Sequence, residues 1–177
     1  MEGLVEIPEG IEIEIEGLKV RVRGKKGEVE RDFYNRGVAN ILKFDKLDQK
    51  VRISIDVEGK RGKALLGTIK AHLRNMFKGV VEGYECKLRI VYVHFPISVE
   101  VKGKEILVKN FLGQRDVFKT KIPENVEVEV SKNEIKVSGI DKELVGQTAA
   151  SLERLTKLNK RDRRKFQDGI FIYEKPK

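Results

Sequence analysis

Residues 11–23 read IEIEIEGLKVRVR, an alternation of aliphatic and charged side chains interrupted only at Gly17-Leu18. Successive side chains on a strand point to opposite faces, so this pattern dictates an antiparallel hairpin with one dry and one wet side. A two-residue turn at Gly17-Leu18 sets Ile15 opposite Val20 and Ile13 opposite Val22 on the dry side. On the wet side Glu16 then faces Lys19, Glu14 faces Arg21 and Glu12 faces Arg23, so every cross-strand pair joins opposite charges.

The same design returns 86 residues later. ISVEVKGKEILVK, from Ile97 to Lys109, aligns with it, matching Gly17 with Gly103 and, further on, Gly27 with Gly113. Val101 would pair Ile106, and Val99 would pair Val108. At an offset of 79, Leu66-Gly67 matches Val145-Gly146, Ala71 matches Ala150, Leu73 matches Leu152 and Met76 matches Leu155. Two colinear alignments argue for tandem copies of one unit, with about seven extra residues between hairpin and helix in the first. The expected fold is α+β: two copies of a small antiparallel sheet, each covered by one helix. Each copy is read as strands, a helix and a final strand. Leu88 to Phe95, LRIVYVHF, is taken as the last strand of the first copy, so Pro96 sets the boundary between residues 1–96 and 97–177.

Between these anchors, 38–44 and 51–57 read as strands about a turn at 45–50, and 126–130 and 135–137 as a hairpin about Lys132-Asn133 with Glu129 facing Lys136. The first helix should span about 64–77, with Leu65, Ile69, Leu73, Met76 and Phe77 on its apolar face. Lys63, Lys70, Arg74 and Lys78 line another face, for which nucleic-acid contact and simple solvation are both open.

The second helix runs into the densest charge in the chain. Val145, Thr148, Leu152, Leu155 and Leu158 recur at helical spacing and must be buried, which leaves Gln147, Ser151 and Arg154 on the opposite face. The helix should end near Asn159. Lys157, Lys160, Arg161, Arg163, Arg164 and Lys165 then crowd together with only Asp162 against them, before Phe166, Gln167 and an Asp168-Gly169 turn. Such a run is often a solvated face, but here it is arginine-rich, carries an aromatic and lies between two ordered elements. Arginine's planar fork suits phosphate oxygens and guanine edges, and Phe166 could stack on an unpaired base, so RNA is the natural partner. A net charge of +9 agrees with a polyanionic partner.

Other chemistry finds little support. Cys86 is alone, which excludes an intrachain disulfide and a cysteine-rich metal site and is read as a small buried hydrophobe in a reducing compartment. Residues 59–64, GKRGKA, lack the leading glycine and the hydroxyl of a phosphate-binding loop, since Val57 and Ala64 occupy those positions. His72 and His94 lie in different elements without a ligand pattern, so no metal, cofactor, small-molecule substrate or catalytic residue is expected. No apolar run reaches membrane-spanning length, and a cytoplasmic protein is expected. A free RNA-binding module and a protein-interaction scaffold remain alternative readings of the same residues. A nuclease would need a carboxylate cluster that the sequence does not display.

Gln147-Thr148-Ala149-Ala150, the basic stretch, and then Arg164-Lys165-Phe166-Gln167-Asp168-Gly169-Ile170-Phe171-Ile172 resemble the C-terminal signature of the universal L-six family of large-subunit ribosomal proteins. The likeness is to its archaeal and eukaryotic branch and covers the whole chain, since that family is built from two copies of one α+β unit. Phe171 stands where the family usually has tyrosine. The resemblance implies a non-catalytic protein that binds large-subunit ribosomal RNA (rRNA) chiefly through its C-terminal half. It places the protein near the sarcin–ricin loop and the base of the acidic stalk, beside neighbouring large-subunit ribosomal proteins. Carried onto this sequence, the RNA contacts would be Gln147, Ser151 and Arg154, then the loop from Lys157 to Gly169, where Gly169 would admit close backbone approach. Lys109, Asn110 and Arg115 are weaker candidates.

Overall fold

In the computed structural model, residues 1–35, 40–158, 162 and 164–176 are described. The chain divides into two units, Met1–Gly83 and Tyr84–Lys177.

The first unit holds six strands and one helix: β1 (Glu2–Glu6), β2 (Glu12–Glu16), β3 (Lys19–Gly24), β4 (Gly27–Asp32), β5 (Leu42–Leu47), β6 (Lys50–Ile55) and α1 (Gly59–Val81). They form two three-stranded antiparallel sheets, ordered β2-β3-β4 and β1-β6-β5. The hairpin β2-β3 has the expected register, with Ile13 opposite Val22, Ile15 opposite Val20, and the three Glu–Lys/Arg pairs across from each other. The next strand, β4, continues the logic, because Glu30 and Glu28 flank the free sides of Arg21 and Arg23. Arg21 reaches both neighbouring strands, at 2.6 Å to Glu30 and 3.4 Å to Glu14. Val20, Val22, Val51, Ile53 and Leu73 are buried beneath, where α1 packs on β1, β3, β4 and β6.

The second unit repeats this order with β7 (Tyr84–Val91), β8 (Ser98–Lys102), β9 (Glu105–Lys109), β10 (Phe118–Lys121), β11 (Val126–Val130), β12 (Glu134–Gly139) and α2 (Lys142–Leu155), and then adds β13 (Gly169–Glu174). Its sheets are ordered β10-β9-β8 and β11-β12-β7-β13. Val99–Val108, Val101–Ile106 and Glu129–Lys136 pair as the alternation requires.

The strand taken as the last of the first copy is the first of the second. β7 pairs β12 as β1 pairs β6, so each copy opens on a strand that completes the sheet of its own hairpin. The apolar run misplaced it in two respects. The strand begins at Tyr84, where alternate residues Tyr84, Cys86, Leu88 and Ile90 are buried, and it ends at Val91, leaving Tyr92, Val93 and Phe95 exposed. Three short strands, β1, β4 and β10, escaped notice because each has at most two apolar residues on its inner face. The strand expected over 38–44 starts at Leu42, its first residues 38–39 lying outside the described ones, and it continues to Leu47, so the turn tightens to Asp48-Gln49.

Helix α1 is longer than expected at both ends, and Gly67 lies exposed at its middle with nothing near the position of an added Cβ. Glycine is unfavourable inside a helix, so Gly67→Ala should stabilise the unit by about 0.5–1 kcal/mol. A thermal melt of the full chain, followed at the first unit by amide exchange, tests this; an unchanged or lowered midpoint would show that the glycine serves the fold.

Candidate nucleic-acid interface

Helix α2 is capped by Asp141, whose carboxylate accepts the Glu143 N–H at 2.8 Å. Val145, Thr148, Ala149 and Leu152 are buried against β7, β12 and β13. That burial orients the other face outward, where Gln147 and Arg154 are exposed and Ser151 is half-exposed. The Ser151 hydroxyl donates to the Gln147 carbonyl at 2.8 Å, which leaves its lone pairs available as acceptors.

The helix stops one turn earlier than expected, at Leu155, because Thr156 closes the neck of the basic loop. The Ile170 N–H donates to the buried Thr156 hydroxyl at 2.8 Å, tying the start of β13 to the helix end across fourteen residues. Glu153 adds a second tie, accepting the Ile172 N–H at 3.3 Å. Lys157 lies exposed just outside the neck. Lys160, Arg161 and Arg163 fall outside the described residues.

The far side of the loop is organised by its acid residues. The Asp162 carboxylate accepts the Arg164 N–H at 3.0 Å and the guanidinium at 3.1 and 3.2 Å, while its carbonyl accepts the Lys165 and Phe166 N–H groups. The Arg164 side-chain hydrogen bond, then its backbone N–H, hold the Asp162 carboxyl below its ordinary range. Arg164 is still 90% exposed, and Lys165 and Gln167 are exposed beside it. Asp162 therefore shapes the turn that presents these groups.

Asp168, grouped with the RNA contacts by resemblance, points inward instead. Its side chain is fully buried and takes the His94 backbone N–H at 3.2 Å and the His94 ring Nδ1 at 3.0 Å. Burial pushes its carboxyl up, but the bonds from the His94 ring and from the His94 and Val93 amides outweigh that and hold it below the usual carboxylate range. Phe166 stacks on the His94 ring, with centroids 5.2 Å apart, so its ring belongs to the base of the loop as well as to the surface. Val91, Thr156, Leu158, Phe166, Gln167, Asp168 and Phe171 line a cavity of about 300 Å³ beside it. Gly169 is buried, and a Cβ there would press on the Phe171 ring at 3.1 Å and the Thr156 hydroxyl at 3.3 Å. Internal packing thus accounts for this glycine without any approach of RNA. His94 is the residue that sequence reasoning passed over: it read as one member of an apolar strand, and nothing in its spacing announced a partner 74 residues away.

Of the weaker candidates, Lys109 is held by Glu100 at 2.8 Å and the Asn110 amide donates to the Pro96 carbonyl at 2.9 Å from a left-handed backbone. Arg115 is exposed. Among the described residues no three His, Cys, Asp or Glu side chains gather as a metal ion would require, and no helix is long and apolar enough to cross a membrane.

Comparison with known proteins gives one consistent result. The family model described as Ribosomal protein L6 matches twice, over residues 7–83 and 95–169, one match in each unit. The large ribosomal subunit protein uL6 of Desulfurococcus amylolyticus is 49% identical over 174 residues, covering 97% of this chain and 92% of its own. That of Aeropyrum pernix is 46% identical over 172 residues, with the same coverage. That of Methanosarcina mazei is 44% identical over 171 residues, covering 97% of this chain and 95% of its own.

Proposed function

This chain belongs to the ribosomal protein L6 family, structural proteins of the large ribosomal subunit, and from that premise we propose that its second unit binds large-subunit rRNA through α2 and the basic loop. The single observation that carries this reading is the stapled loop. Thr156 and Asp168 fix the two ends of a segment whose described residues expose Lys157, Arg164, Lys165 and Gln167. A cationic loop with a rigid base loses little conformational entropy when phosphates dock, so more of its electrostatic gain appears as affinity.

Roles divide by chemistry. Arg154, Lys157, Arg164 and Lys165, together with Lys160, Arg161 and Arg163, neutralise phosphates where RNA helices converge. Gln147, Ser151 and Gln167 supply neutral donors and acceptors for ribose and base edges. His94, Phe166, Asp168 and Gly169 hold the loop base in shape. The docking site is the rRNA around the sarcin–ricin loop and the base of the acidic stalk, where the protein sits among other large-subunit proteins in the cytoplasm. Its contribution is positional, with no catalytic step.

Sedimentation of a cell lysate through sucrose, in moderate and in high salt, tests this reading. The chain should travel with large subunits and leave them as salt rises, because phosphate contacts weaken with ionic strength. A slow peak at the mass of a free 20.3 kDa chain in both conditions would contradict it.

A further inference from the structure

Helix α1 carries Lys60, Arg61, Lys63, Lys70, Arg74 and Lys78 and no acidic residue along its 23 positions. Solvent-facing helices usually intersperse both signs, since like charges one turn apart repel. Among the described residues Lys78 has an acid at hand, Glu82 at 3.7 Å beyond the helix end. Lys60, Arg61, Lys63 and Arg74 are exposed and, among the described residues, none has an ion-pair partner. The contrast within the same unit is sharp, because the arginines of β3 are each matched by glutamates of β2 and β4.

The shape of this face is as specific as its charge. Lys60, Ala64, Gly67, Ala71, Arg74 and Lys78 follow one another at three- and four-residue steps, so they form one line along the outside of the helix. Ala64, Gly67 and Ala71 are exposed. The middle of the line is therefore nearly bare backbone, with cations clustered at both ends roughly 20 Å apart at the helical rise of 1.5 Å per residue. Gly67 weakens the helix without any demand from the fold, since a Cβ there would meet open space. Its lack of a side chain makes sense if something flat lies against it.

We propose that the outer face of α1 is a second RNA-docking surface, on which the terminal cations grip phosphates and the Ala64-Gly67-Ala71 line lies against the ribose–phosphate ridge of a duplex. A-form RNA offers a wide, shallow minor groove bordered by phosphates and 2′-hydroxyls, which suits a smooth cationic helix. An acidic protein segment fits less well, because protein partners anchor through apolar side chains in pockets and this line provides none. The proposal rests on the rRNA reading given above.

Filter binding of the full chain to large-subunit rRNA, across a salt series, tests it with two variants. Arg61→Ala with Lys63→Ala and Arg74→Ala should lower affinity at least tenfold near 0.1 M salt and reduce the salt slope by about two to three. Gly67→Gln should lower affinity at least fivefold with the slope unchanged, and glutamine is the better helix former, so unfolding cannot explain the loss. If both variants bind like wild type while Arg164→Ala with Lys165→Ala binds weakly, the α1 surface is overturned and the loop reading stands. If neither set changes binding, the rRNA reading itself fails. Normal RNA binding by the α1 variants combined with loss of a neighbouring protein from the assembled particle would overturn the proposal in favour of an acidic protein partner.

Discussion

Asp168→Ala should destabilise the second unit by about 2–4 kcal/mol at neutral pH, because it strips acceptors from the His94 and Val93 N–H groups and leaves a small void. The effect should concentrate at the loop base. Amide exchange at His94 and Ile170 should speed up, and trypsin should cut the basic loop faster. The pH dependence has a definite sign. Asp168 is held below the ordinary carboxylate value of about 3.9, so its contribution is fully present above that value and is lost as pH falls through the folded value. Wild type and variant should therefore diverge at neutral pH and converge in acid. Equal stability at pH 7, or a gap that persists undiminished in acid, would show that the carboxylate does not hold the neck.

The second large effect concerns binding. Arg154→Ala, Arg164→Ala and Lys165→Ala together remove three exposed cations from the described part of the proposed interface, none of which packs in the core. Each phosphate contact contributes a salt slope of about 0.7–0.9, so the triple variant should flatten the dependence of log K on log salt by roughly two to three. Referred to 1 M salt, that is a loss of about a hundredfold to a thousandfold in affinity at 0.1 M. Circular dichroism should stay unchanged. A parallel downward shift without a change of slope would mean that these groups do not meet phosphates.

Much of this architecture was legible because two patterns were redundant. Alternation specified the β2-β3 and β8-β9 registers residue by residue, since one slip would have turned Ile13 and Val22 to water. Helical spacing supplied the second helix, and the repeat the division into two units. Edge strands were harder. β4 buries little and is held by charge pairs with β3, so hydrophobic periodicity had no purchase on it. β7 was visible as a strand but was assigned to the wrong copy, because sequence adjacency to α1 is a weaker guide than pairing with β12. In the site, charge density located the loop, and helical spacing located Gln147, Ser151 and Arg154. It could not separate groups that face outward from groups that brace the loop. Asp168 and Gly169 lie within the basic stretch yet are turned inward by His94 and Phe171, and such pairings arise only from the tertiary fold.

The most direct test of the central claim is cleavage of rRNA by an iron chelate tethered at Gln167→Cys in reconstituted large subunits. The native Cys86 is buried and its thiol pushed up by burial, so it should stay unlabelled and the wild-type chain should give no cuts. Cuts from position 167 clustered in the sarcin–ricin loop and the stalk base are the result predicted here. Cuts confined to other regions of the rRNA, or none in a particle that contains the labelled chain, would contradict the placement of the basic loop.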